Sequence, residues 1–178
     1  TTGSALLDVS VDVENLKRTP MELMYLAHAN FRPVDNGVLH YTANYTPQSV
    51  RVRQSIPSHI TPKEGYAEFL AELAADPKLH PVMQPGLAFD PEVVFEIDMK
   101  ADANGHAHAL QKHPDGSSDY VRYRANQVAM ATRWICRTPD QEGLGIAFPA
   151  TSGVEGYTAE KAKGRVVSLD GGKSWRVD

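Results

Sequence analysis

Apolar and polar residues alternate along much of this chain, which is the period of a strand with one buried face. In "ALLDVSVDVEN" the apolar Leu7, Val9, Val11 and Val13 alternate with Asp8, Ser10, Asp12 and Glu14. Similar runs predict strands over residues 23–28, 38–41, 50–54, 93–100, 106–113, 120–124, 131–137 and 144–148. Turn-forming residues fill the gaps: "DNG" at 35–37, "DANG" at 102–105 and "HPDG" at 113–116. One stretch alone, "TPKEGYAEFLAELAADP", reads as a good helix, with Thr61 as N-cap, Pro62 in the first position, Glu64 in the third and Pro77 as the stop. A second helical turn is expected over residues 158–162. The expected fold is therefore mainly β, an antiparallel sandwich or barrel with one or two short helices, in a single domain over residues 1–178.

Composition narrows the class. With 178 residues, 42% hydrophobic and 22% charged, the chain can bury a substantial core, and its net charge of −4 argues against a nucleic-acid partner. Cys136 is the single cysteine, so no internal disulfide forms and a reducing compartment fits. No apolar run reaches the roughly 18 residues of a membrane span, and no leader pattern opens the chain. These features are read as a cytoplasmic protein with no membrane partner. The chain opens at Thr1, almost directly into an alternating stretch, and closes on "GGKSWRVD", which reads as a strand just begun. Both ends look like cuts through a sheet. Open strand edges of that kind favour pairing with a second copy or with a missing N-terminal half.

Several groups are candidates for chemistry. His106 and His108 sit two apart on one strand and so share a face, with His113 on the same arm; this is a spacing found in some metal sites, and solvated hairpin histidines are the plainer reading. Cys136 shares a face with Trp134, opposite Arg133, Ile135 and Arg137, and reads as a small buried residue. Arg122, Arg124, Arg133 and Arg137 fall on two neighbouring strands, either as ion pairs holding a sheet or as forked donors for a sugar or an organic acid. In "MELMYLAHANFRPVDNG", His28, Asn30 and Arg32 follow one another at strand spacing. Three polar groups in a row need partners if buried, so a polar site and a structural network stand level on the residues alone.

The run "ELMYLAHANFRPVDNG" resembles an uncharacterised aldose 1-epimerase-like family, a branch of the galactose mutarotase superfamily. The likeness continues through "DANGHAHALQKHPDGSSDYVRYR", "TRWICRTPDQEGLGIAFPATSGVEGYTAEKAKG" and "GGKSW", and it corresponds to the C-terminal half of such proteins. It implies an antiparallel β-sandwich of galactose mutarotase type whose concave sheet face binds a monosaccharide. In that family a histidine protonates the ring oxygen and a glutamate removes the anomeric proton. The ring opens, C1 rotates, and the ring closes on its other face. His28 in "HANF" matches the acid. The base lacks a match: Ala147 or Phe148 stands in the glutamate's place, and Glu142 and Glu155 are the nearest carboxylates. Asn30, Arg32, Glu92, Arg122 and Arg133 are then expected to orient the sugar, with the arginines pointing to an anionic one.

The resemblance thus implies an isomerase interconverting sugar anomers, with no metal and no cofactor. The alternatives are a non-catalytic carbohydrate-binding module, and a metal-dependent isomerase or lyase using His106 and His108.

Overall fold

The computed structural model describes residues 5–56, 60–128 and 130–178; Thr1, where the reading of a cut end begins, lies outside them. Eleven strands and two helices are present among these residues. Two antiparallel sheets form the body. One has four strands in the order β4 (Val50–Val52), β5 (Phe89–Ile97), β8 (Met130–Arg137), β9 (Glu142–Ala150). The other has three, in the order β3 (Val38–Tyr41), β6 (His106–Lys112), β7 (Ser118–Arg124). Two-stranded ribbons complete the fold: β1 (Val11–Glu14) with β11 (Ser174–Val177), and β2 (Met21–Leu23) with β10 (Val167–Leu169).

The period-two pattern explains where the core lies. Val50, Val52, Val93, Phe95, Ile97, Ala131, Ile135 and Leu144 come from one side of the four-stranded sheet, and Leu39, Tyr41, Ala107, Ala109 and Tyr123 from one side of the other. These two faces pack into one hydrophobic cluster, so the architecture is a sandwich. Helix α1 (Tyr66–Ala75) closes it by burying Leu70 and Leu73. The helix begins later than its sequence predicts. Gly65 occupies the N-cap in a left-handed conformation (φ 81°), which residue types other than glycine adopt at a cost, so the helix cannot run back to Thr61. Ahead of it, Lys63 pairs with Asp90, and the Tyr66 hydroxyl donates to the Glu92 carbonyl at 2.5 Å. Helix α2 (Tyr157–Ala162) begins one residue before its expected start.

The turns fall where their residues predict. Asn36 (φ 60°), Gly105 (φ 84°) and Gly116 (φ 88°) supply the positive φ that such turns need. Strand limits move more. The alternation from Leu7 becomes a strand only at Val11, where pairing with Val177 begins, and Leu7 and Val9 are exposed.

The stretch from residue 23 differs most from expectation. β2 ends at Leu23, and the chain then runs along β9, touching it by bridges at Leu26–Ala150 and Phe31–Leu144. The cause is in β9. Trp134 pairs with Gly145, yet Thr132 pairs with Phe148, so Ile146 and Ala147 together oppose Arg133. This β-bulge puts one extra residue in β9, and the neighbouring chain cannot keep register across it. Residues 27–30 therefore pass the bulge without ladder pairing of their own, apart from the Ala27 N–H donating to the Pro149 carbonyl.

Candidate functional site

The side of the four-stranded sheet away from the core carries the chemistry. Trp134 and Cys136 of β8, Gly143, Gly145 and Phe148 of β9, and Glu96 of β5 lie there by register. The rings of Trp134 and Phe148 lie down on the sheet because two glycines make room. A Cβ at Gly143 would meet Trp134 at 2.6 Å, and one at Gly145 would meet Phe148 at 2.0 Å. His28, in the unpaired stretch between the two bridges, comes over both rings, 4.0 Å from Phe148 and 5.7 Å from Trp134 between centroids. The result is an aromatic platform in which Phe148 is buried beneath the exposed His28 imidazole and Trp134 is half-buried beside it.

Carboxylates border the platform. Glu92 stands where β5 departs from register with β8, and its Oε2 accepts from the Trp134 indole N–H at 2.6 Å. Its Oε1 has no partner among the described residues. Glu155 is held on the same face by Arg53, whose Nε donates at 2.8 Å, and by the Ser55 hydroxyl. Arg53 reaches this face because its N–H pairs with the Val94 carbonyl, beside Trp134. Tyr66 rises above its usual pKa mainly through burial, with Glu92 pushing the same way and Arg53 opposing.

Behind Glu155 a chain of ion pairs braces its loop: Asp98 to Arg51, Arg51 to Glu96, Glu96 to Arg165, Arg165 to Glu160, and Glu160 to Lys163. Glu160 has no exposed surface and accepts the Gly153 N–H at 2.9 Å. Burial pushes its carboxyl up, but Lys163, the Gly153 N–H and Arg165 more than offset this and hold it below the ordinary value.

The residues singled out from sequence divide. His28, Glu92 and Glu155 share the platform face. Asn30 is exposed in the same unpaired stretch. Arg32 and Glu142 pair with each other at 3.0 Å at one end of the sheet, in a cleft of about 350 Å³ shared with Asp35 and Arg137. Glu142 sits opposite Arg137, hence on the other parity from Gly143, and does not stand over the platform. Arg133 is fully buried on the core side of β8, as alternation with the outward Trp134 requires, and its Nε donates to the Ile146 carbonyl. Arg122 lies on the other sheet, in a cleft of about 360 Å³ lined also by Asp8, His106, Arg124, Arg176 and Asp178. The expectation that Arg122 and Arg133 orient a ligand beside His28 is therefore corrected: the sandwich separates all three.

The histidine arm is engaged elsewhere. His108 bonds Asp102 at 2.9 Å and Tyr120 at 2.5 Å, and His113 bonds Asp119 and Ser117. Backbone donation from His106, the His108 bond and the Asn104 N–H bring Asp102 down to about 2. Among the described residues no group of three or more His, Cys, Asp or Glu is placed to hold a metal ion. Cys136 is buried, and burial raises its thiol pKa, with Glu92, Asp90 and Asp140 adding to the effect. No helix among the described residues is long and apolar enough to cross a membrane.

Comparison with solved structures identifies the architecture. The crystal structure of a "putative aldose 1-epimerase" from Klebsiella pneumoniae subsp. pneumoniae MGH 78578 superimposes with a TM-score of 0.69 at 21% identity, over 94% of this chain. The fold is the aldose 1-epimerase-like sandwich. This chain spans 40% of that protein's length. No family profile and no curated protein matches the sequence. Within the epimerase-like sandwich, sequence reasoning missed Trp134, Phe148 and Arg53 as parts of the site. A signal existed in "GLG" at 143–145, which has no phosphate-loop context and instead beds the two rings.

Proposed function

We propose that this protein binds a neutral aldose against the half-buried Trp134 ring, beside the exposed His28, and interconverts its anomers by general acid–base ring opening. One observation supports the reading above others: His28 and Glu92 contact the same indole, one at its ring and the other at its N–H. A pyranose has a C–H-rich face that packs on flat rings and a rim of hydroxyls that needs polar groups, and this face offers both. His28 gives a proton to the ring oxygen as Glu92 takes the proton of the anomeric hydroxyl. The C1–ring-oxygen bond breaks to leave an open-chain aldehyde, C1 turns, and the reverse transfers close the ring. No cofactor enters either step. Glu155, already neutralising Arg53, holds hydroxyls rather than the anomeric proton. The arginines that pointed to an anionic sugar, Arg122 and Arg133, lie off this face, which favours a neutral one.

Saturation-exchange NMR on mixed anomers of a panel of aldoses tests the reading. His28→Ala and Glu92→Gln should each cut anomer exchange by ~10²- to 10⁴-fold, with sugar binding retained. Exchange unchanged in both variants overturns the mechanism.

A second reading has its own observation. The positions of β9 on this face are Gly143, Gly145, Phe148 and Ala150, so that strand brings no carboxylate to it. A binding module without catalysis fits this, and the same experiment would detect it as binding without exchange in the unaltered protein.

A further inference from the structure

Arg133 is a full guanidinium in a hydrophobic core, and among the described residues no carboxylate pairs with it. It has no exposed surface. Its Nε donates to the Ile146 carbonyl at 3.0 Å, its Nη1 donates to His80 Nε2 at 2.8 Å, and its Cζ lies 4.3 Å from the centre of the Tyr41 ring. Among the described residues its Nη2 has no hydrogen-bond partner. Burying a cation this way is costly, and an apolar side chain of similar volume usually serves a core as well or better. The geometry indicates what the arginine does instead. Ile146 is one of the two residues that oppose Arg133 in the β9 bulge, and a bulge leaves ladder groups without a strand partner.

That bulge decides the other face. Before it, Gly143 and Gly145 are on the platform side; after it, Phe148 is. Without the extra residue Phe148 would turn into the core and Ala147 would take its place outside. The same irregularity breaks pairing with residues 27–30 and leaves His28 arched over the rings.

We propose that Arg133 is a positioning residue that, from the core side, holds the β9 bulge at Ile146–Ala147 and so sets Phe148 and His28 in place on the opposite face. Its importance to catalysis rests on the proposed sugar site, but the placement does not, and the two are read separately.

Two substitutions isolate the donor. Arg133→Met fills much of the same volume with no donor. Arg133→Gln carries an N–H the same number of bonds from the backbone as the arginine Nε, and no charge. The His28 imidazole lies against Phe148, so its ¹H–¹³C resonances at fixed pH carry a ring-current displacement that Phe148→Ala defines. In the intact chain without sugar, Arg133→Met should lose most of that displacement and Arg133→Gln should keep most of it. A folded Arg133→Met protein with unshifted His28 resonances overturns the proposal. If the Met variant does not fold, the Gln variant decides: retention supports the donor role, and a folded Gln variant without the displacement overturns it. Anomer exchange on the same samples reads the sugar site independently, because its absence in the unaltered protein removes the epimerase reading and leaves the His28 result standing.

Discussion

Glu160 is a full carboxylate with no surface, and its partners explain why it is tolerated. It accepts the Gly153 N–H and faces Lys163 at 2.8 Å and Arg165 at 3.5 Å. Both cations keep some solvent contact, so the pairing is worth less than that of a wholly buried pair. Glu160→Gln keeps the size and an acceptor for Gly153 but removes the charge. Stability should fall by about 2 kcal/mol, measured by urea unfolding. An unchanged midpoint would mean that the loop bearing Glu155 is held by something else. Gly153 belongs to the same unit: a Cβ there would meet Glu96 Oε1 at 2.2 Å.

The element that matters most is β9. Two glycines and one bulge convert an ordinary buried strand into the bed of an aromatic platform. Gly145→Ala tests it directly, because the new Cβ would collide with a Phe148 ring that is 1% exposed and covered by His28. The ring must leave its place or the strand must shift, at about 1–3 kcal/mol for overpacking. A drop in thermal stability is expected from melts, together with about a tenfold slowing of anomer exchange, or about 1.4 kcal/mol, as His28 loses its seat on Phe148. Unaltered exchange would mean that Phe148 does not set the position of His28. This element also marks the limit of legibility. The run from Leu144 to Phe148 was readable as a strand, and its apolar content as burial, but a bulge has no reliable mark in local pattern. The parity of Phe148 and the broken pairing around His28 both follow from it, and so stayed hidden.

For the whole molecule, the interior histidine sets the acid response. His80 is fully buried, and burial, helped by Arg133, drops its pKa to about 2 from 6.5. Below pH 6.5 the unfolded chain takes a proton that the native chain refuses, so stability falls as pH falls, by about 1.4 kcal/mol per unit. About 2 kcal/mol should be lost between pH 6.5 and 5, and His80→Gln should flatten that slope in thermal melts. A second limb opens below about pH 4.5, where Glu160 and Asp98 begin to take protons in the unfolded chain: both are held low in the native state, Asp98 mainly by its bond to Arg51. A pH-independent stability from 7 to 5 would place His80 in contact with water.

By itself the sequence determined the β class, most strand positions, the turns and His28 as a residue of interest, because alternation and turn chemistry are local and are written residue by residue. It also placed Trp134 and Cys136 opposite Arg133, since parity within one unbroken strand is local too. The partners of His28 were settled only by tertiary structure. Glu142 and Arg32 neutralise each other at the sheet end, Arg122 belongs to the other layer, and Arg133 points inward. Trp134 and Phe148 become neighbours of His28 through a register shift between β8 and β9. Register and sheet pairing join residues more than a hundred positions apart, and such non-local relations leave no trace in the local hydrophobic pattern.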